Sequence, residues 1–561
     1  MAAFSNICFA AIAAIAASGV LAAPTPGPLT KFAELKRVPA QWATEGRASS
    51  ETMIKARIGV KQNNIEGLQQ KLLDIAHPNS ANYGKWLSKE EVDKYTAPAD
   101  SDVAAVKAWL ASAGVNNVAH DNDWLEFTAP VSKMESLLDA KYEWFTHAST
   151  GLRLPRTKQF SVPENLHSVI DVITPTTALY HNMGPEKSNK GAHSKRQTDT
   201  DLTTPAYIRS AYNVDYNSKG SQTIATSAFQ SVGASHSDFA AFAQQYQPGL
   251  ADFTDISVNG ATNDGQAGEE PEGNLDTQYA GAMASPNPSQ FLSCGPANPF
   301  EDGLLAFSQY LNSASSPPST VSTSYGDEEN NFDTSYLDRI CNEFMKAGSR
   351  GVSVFFSSGD SGVGGNREST CPNGFYAVFP ASCPYITSIG GTEFDSGAEV
   401  VANFAQYTNG AITSPGGGYS NYFAAPSYNA KVTAAYAQSL PSSIQSQFNA
   451  SGRGYPDLSL ISVQFQTEVN GQVGTVLGTS ASSPSTAGLF SVLNDYLNSQ
   501  GKPVLGFLNP LLYSGKINSA INDITSGSNA GCDSNGFPAQ QGWDAASGLG
   551  SFNFATLRSL V

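Results

Sequence analysis

Apolar and polar positions alternate with two different periods along this chain. In residues 62–78, QNNIEGLQQKLLDIAHP, apolar residues recur at helical spacing. SDVAAVKAWLASAGV (101–115) predicts a second amphipathic helix, closed by Gly114. DWLEFTAPVSKMESLLDAKYEWFTH (123–147) predicts strand, helix, strand. Together these predict a compact α+β unit. After residue 197 the pattern changes. GVSVFFSSGD (351–360) is a buried strand running into a turn, and ITSIGGT (386–392) is another short strand. TEVNGQVGTVLGTS (467–480) predicts strands around a glycine turn, with a helix through PSTAGLFSVLNDYLNSQ. Strand–helix alternation predicts an α/β body with a largely parallel sheet flanked by helices. No repeat of 20–50 residues is present.

Residues 5–23, SNICFAAIAAIAASGVLAA, are apolar and end in small residues. They read as a secretory signal peptide over residues 1–22, cut near Ala22 or Ala23, although no Lys or Arg precedes the apolar run. An N-terminal membrane anchor is the alternative; the apolar core is short for one. Beyond it no apolar run reaches the ~18 residues of a membrane span. The 561 residues are 40% hydrophobic and 14% charged, enough for several domains and too apolar for long disorder. Net charge is −17, which repels phosphate and argues against nucleic acid as a partner. That charge is unevenly spread. Residues 1–196 hold 21 Lys and Arg against 19 Asp and Glu; residues 197–561 hold 11 against 30. The break coincides with a polar stretch ending in Lys195-Arg196, a dibasic processing signal. The expected organisation is a signal peptide (1–22), a prodomain (23–180), a processing linker (181–196) and a mature body (197–561). Attraction between a slightly basic propeptide and an acidic body should weaken as acid neutralises carboxylates.

Six of the seven histidines precede residue 197, leaving the body only His236. HExxH, G-x-S-x-G and P-loop patterns are absent. Any general base in the body is therefore expected to be a carboxylate, which works best in acid. Three patterns offer candidates. In GTSASSPSTAG, Ser480 follows a glycine turn at a helix entrance, where it is either exposed for chemistry or an ordinary cap. In EEPEGNLDTQYA, Glu272 and Asp276 share one helical face; such a pair resists double ionisation, unless it is merely a solvated acidic face thickened by Glu269 and Glu270. Asp360 follows an apolar strand at a glycine-flanked turn, where α/β sites gather and where turn-forming aspartates are also common.

Taken in order, EGNLD, STSYGDEE, SSGDSG, FPASCPYITSIGGT, SPGGGYSNYF, RGYPDLSL, GTSASSP and GWDAASGLG resemble the sedolisin family, the serine-carboxyl peptidases of subtilisin-like fold. HPNSANYGKWLSKEEV resembles that family's pro-kumamolisin-like prodomain. The resemblance implies that Ser480 attacks the scissile carbonyl and that Glu272 takes its proton. It implies that Asp276 orients Glu272 and that protonated Asp360 serves the oxyanion. It also implies one calcium ion per chain, held by Asp523, the Ile524, Gln540 and Gly542 carbonyls, and Asp544, with Gln540 standing where relatives often have glycine. Two relay positions depart from the pattern: Tyr325 replaces a tryptophan, and Gln230 stands where a glutamate is found. The cysteine pattern of the family suggests Cys371–Cys532 and Cys294–Cys341, with Cys383 free. Asn449-Ala450-Ser451 is a glycosylation sequon.

The resemblance therefore implies a secreted, extracellular acid peptidase zymogen acting on peptides or denatured proteins. Its propeptide would be an intramolecular inhibitor, removed autocatalytically or by a kexin-like protease. EGNLDTQY resembles the secreted fungal tripeptidyl-peptidases. An endopeptidase of the same family is the alternative, and a non-catalytic peptide-binding homologue a remote one.

Overall fold

The computed structural model describes residues 27–35, 38, 42–148, 151–179, 202–264, 271–295, 300–365, 370–410 and 412–561. The signal peptide, the linker with Lys195-Arg196, and Glu269 and Glu270 lie outside them. Before residue 180, Met53–Val60 is the hub of a four-stranded antiparallel sheet, flanked by Trp124–Pro130 and Ile170–Thr174, with Ala119–Asp121 at the edge. The predicted helices are present as Ile65–Ala76 and Asp100–Ser112, and the strand–helix–strand segment as Trp124–Pro130, Val131–Leu138 and Tyr142–His147. Asn64 caps the first helix by accepting from the Gly67 N–H. Leu68, Leu72 and Ile75 recur on its buried face, as the spacing requires. Ile58, Val106, Leu110, Leu125, Met134 and Leu138 sit in a separate core under the sheet.

From residue 202 on, the chain builds an eight-stranded, mostly parallel sheet. Its order is Thr254–Val258, Ser289–Cys294, Ile224–Ala228, Thr320–Thr323, Ser353–Ser357, Thr387–Asp395 and then antiparallel Ala398–Val401, with Leu458–Ile461 also pairing Thr387–Asp395. Chain connections depart in opposite directions on either side of the Ile224–Ala228/Thr320–Thr323 pair. Such a switch point opens a crevice at the carboxyl ends of the strands, where ligands bind in α/β sheets. Two helices, Glu272–Ala284 and Thr479–Ser499, pack together beside it with every residue of the first buried. Leu275, Tyr279, Met283, Leu489 and Val492 are fully buried between them and the sheet, about 1.5–3 kcal/mol of transfer free energy for each large apolar side chain. Gly488 permits the close crossing: a Cβ there would lie 2.5 Å from the Cβ of Met283. The serine helix starts earlier than its pattern predicts. It carries Pro484 inside its second turn, where the missing N–H leaves the Ser480 carbonyl without its helical donor. Among the described residues no helix is long and apolar enough to cross a membrane.

The two units meet on the Thr334–Ser349 helix. Leu68 and Leu72 pack against Met345 and Phe507, and the Trp86 indole donates to the Val504 carbonyl at 2.9 Å. At the centre Arg339, 1% exposed, pairs with Asp123 (2.6 Å), Asp171 (3.1 Å) and Glu343 (3.3 Å), and lies over the Trp124 ring. Lys346 joins Glu343 at 2.9 Å, and Arg156 meets Glu301 at 3.2 Å. At Arg339 and Lys346, then, the acidic body supplies cations to carboxylates of the N-terminal unit, against the sense of the net charges, whereas Arg156–Glu301 follows it.

Candidate active site

The Glu272–Ala284 helix begins directly after Pro271 and has no amphipathic stripe, because it is enclosed on all sides. Its polar residues are accounted for one by one. Asn274 accepts from the Ser235 N–H at 2.7 Å and donates to Asp238 and to the Glu468 carbonyl. Thr277 bonds back to the Gly273 carbonyl at 2.7 Å, and Gln278 donates to the Glu468 carbonyl at 2.8 Å. Glu272 is the exception. It is 1% exposed, and neither carboxylate oxygen has a hydrogen-bond partner among the described residues. A buried carboxylate without compensation marks a functional position rather than a packing one. Asp276, one turn on and equally buried, accepts from the Ser324 hydroxyl at 2.9 Å. The solvated-face alternative for this pair is thereby excluded.

Burial, then the charge of Asp276 and then that of Asp360, push Glu272 well above the usual carboxylate range. The hydroxyls of Ser480 and Ser324 approach closely enough to oppose this, though outside hydrogen-bond geometry. Burial likewise pushes Asp276 well up, against Ser324 and Glu272. Both directions favour keeping a proton on the pair. Ser480 lies in the first turn of the Thr479–Ser499 helix, where backbone N–H groups and the dipole favour negative charge. Asp360 anchors that turn: its Oδ1 accepts from the Thr479 N–H at 2.7 Å and lies 2.9 Å from the Thr479 hydroxyl. Gly478 makes the approach possible, with φ of 133° and space for no Cβ, which would fall 2.7 Å from Asp360 Oδ2. The structure thus brings Ser480, Glu272, Asp276 and Asp360 together at the carboxyl edge of the sheet. It adds Ser324 and Thr479, which sequence reasoning did not single out. Ser324 does stand in the STSYG segment directly after a strand, and that was its signal.

Residues 40–179 match the family described as "Pro-kumamolisin, activation domain". Tripeptidyl-peptidase SED4 of Arthroderma otae is 32% identical over 97% of this chain and 96% of its own length. Tripeptidyl-peptidase sed1 of Aspergillus fumigatus is 30% identical over 97% and 98%. The chain belongs to the sedolisin family. Among solved structures, a Pseudomonas sedolisin, a serine-carboxyl proteinase complexed with two molecules of pseudo-iodotyrostatin, aligns with a TM-score of 0.53 and 26% identity. It covers 64% of this chain and 97% of that one.

In this sedolisin the C-terminal loops bring the other implied residues into one place. The Asp523 carboxylate accepts from the Gly542 N–H at 2.8 Å, and Asp544 accepts from the Gln540 N–H at 3.0 Å. Both carboxylates therefore flank the single turn 540–544 whose carbonyls complete the implied calcium set, and Ile524 adjoins Asp523. Asp544 is fully buried, and no basic side chain pairs with it among the described residues; burial raises it to about 7. Its oxygens accept from the Gln540, Ala546 and Ser547 N–H groups and the Ser547 hydroxyl, and a carboxylate without a basic partner, close to the second carboxylate at the turn 540–544, is a donor type that suits calcium. The disulfides are Cys371–Cys532, as expected, and Cys341–Cys383. Cys294 is the free cysteine among the described residues, buried at the end of its strand. The expected Cys294–Cys341 bridge is thus wrong. Cys341 faces the FPASCPY loop, 5.7 Å between α-carbons, while Cys294 points into the core.

Proposed function

We propose that this sedolisin is a secreted, acid-active peptidase that removes tripeptides from the free amino ends of peptides and denatured proteins. The observation that carries this is Glu272, a buried carboxylate whose oxygens accept no hydrogen bond among the described residues, set against Asp276 and beside Ser480. In this reading Glu272 takes the proton of Ser480 as the hydroxyl attacks the scissile carbonyl, and later returns it to the leaving amine. Asp276 shares the pair's proton and holds Glu272 in line. Asp360, protonated in acid, donates to the developing oxyanion. The names of the relatives favour tripeptide release over internal cleavage. Residues 23–180 act as the prodomain and intramolecular inhibitor, with cleavage after Arg196 by the enzyme itself or by a kexin-like protease. Asp523, the Ile524, Gln540 and Gly542 carbonyls, and Asp544 hold one structural calcium ion, whose charge neutralises the buried Asp544. Asn449 carries a glycan.

Peptides with free and acetylated amino ends, incubated at pH 4 with acid-activated protein and with Ser480→Ala, test the reading by mass spectrometry. Tripeptides from the free peptide alone, and none from the variant, are expected. Internal cuts in both peptides would make the protein an endopeptidase, and full activity in Ser480→Ala would refute the catalytic assignment.

A further inference from the structure

We infer that Ser324 is a positioning residue of the catalytic carboxylate pair, setting how far into acid the pair can still act as a base. This rests on the catalytic reading above. The Ser324 side chain is 1% exposed, too enclosed to touch a substrate. It follows the central strand Thr320–Thr323 at the switch point, and its Oγ faces two parts of the site at once. It lies 2.9 Å from Asp276 Oδ1 and 3.4 Å from the backbone carbonyl of Ser480. A serine hydroxyl has one proton to donate. The shorter contact selects Asp276, so Ser324 supports the ionised form of that carboxylate and fixes its orientation toward Glu272.

The elements packed on the Glu272–Ala284 helix bring Arg209, His236, Asp238, Cys294, Glu468 and Asp495. Asp238 and Glu468 meet the helix through Asn274 and Gln278. The principal charges acting on Glu272 are Asp276 and Asp360, and Asp276 is governed by burial, Ser324 and Glu272. Base catalysis needs the pair with no more than one proton. A donor to Asp276 disfavours the second proton, so its loss must raise the pH at which the pair becomes fully protonated and inert.

The test is the pH profile of tripeptide release by Ser324→Ala and Ser324→Thr. In Ser324→Ala the acid limb of kcat/KM is expected to move up by about one pH unit, the size set by a hydrogen bond to a charged group. At the optimum kcat should fall about tenfold with KM within about twofold, and Ser324→Thr, which keeps the hydroxyl, should restore the limb. An active Ser324→Ala enzyme with an unmoved acid limb, or one whose loss is entirely in KM, overturns the inference. Should Ser324→Ala fail to fold, Ser324→Cys, nearly isosteric and a poor donor, is expected to show the same upward shift, and an unmoved limb there overturns it equally. Ser480→Ala, run in parallel, separates the two levels. Activity in that variant refutes the catalytic reading itself, whereas its inactivity beside an unmoved Ser324→Ala limb refutes only the role of Ser324.

Discussion

Arg339 offers the sharpest test of how the two units hold each other. Its guanidinium is buried among Asp123, Asp171 and Glu343, stacks on Trp124 and donates to the Val60 carbonyl at 3.0 Å. Replacing it by methionine keeps much of the volume but leaves the buried Asp123 and Glu343 with Lys346 as their remaining basic partner, and takes the ion pair from the part-exposed Asp171. Removing one member of such a network costs about 3–5 kcal/mol, roughly 10²–10³-fold or more in an equilibrium constant. Once the N-terminal unit has left, Arg339 keeps Glu343, an i,i+4 partner on an opened surface worth less than about 1 kcal/mol. The comparison is therefore between denaturant unfolding of the uncleaved chain, held intact by Ser480→Ala, and of the processed body. Arg339→Met should cost the first about 3–5 kcal/mol and the second under about 1 kcal/mol. Equal losses in both would refute the idea that this network belongs to docking. The pH dependence has a definite sign as well. Burial opposes the ionisation of Asp123, but the charges of Arg339 and Lys346 outweigh it and hold Asp123 below its usual range. Its contribution is present above the free carboxylate value near 4 and is lost only as pH falls through the depressed one. Asp171, Glu301 and Asp302 are raised, chiefly by burial. Through them the docked state binds protons more readily than the separated one, so acidification favours docking. Net charge predicts release between pH 7 and 4; these contacts predict retention until the linker is cut.

Three further outcomes are expected. Gly478→Ala must strain a residue at φ 133° and press a Cβ toward Asp360 Oδ2, so kcat should fall at least tenfold, while a variant of normal activity would mean that the Asp360–Thr479 contact is dispensable. Stripping calcium with a chelator should lower Tm by about 5 °C, the equivalent of a site held near a hundredfold above its Kd; an unchanged Tm in protein shown to be metal-free would remove the ion from the reading. Peptide mapping without reduction should recover Cys341–Cys383 and Cys371–Cys532, with one thiol per processed chain at Cys294; a Cys294–Cys341 peptide would contradict the structure.

Much of the fold was legible because local pattern and tertiary burial agree. The 123–147 segment reads as strand, helix, strand and folds so, since each element buries the face its period marks out. The Glu272–Asp276 spacing fixed a shared helical face, which needs no tertiary information. What spacing could not supply was the absence of water. An acidic pair on a solvated helix and an acidic pair enclosed by a second helix and a hairpin have the same sequence signature, and it is chiefly the enclosure that raises Glu272. Disulfide partners failed for a related reason. Cys341 and Cys383 are 42 residues apart, and what joins them is the path of a loop over the sheet, which no local pattern encodes. Ser324 stayed hidden because a serine after a strand is ordinary until its hydroxyl is found against a buried carboxylate. The same holds for the interface charges. A sum over residues predicts which unit is acidic, yet the groups that meet are the few that topology turns inward, and at Arg339 and Lys346 their sense is the opposite of the sum. Electrostatic expectations for this family member must therefore start from the contacts, with net charge reserved for the long-range approach of partners, where screening within about 10 Å still leaves it a role.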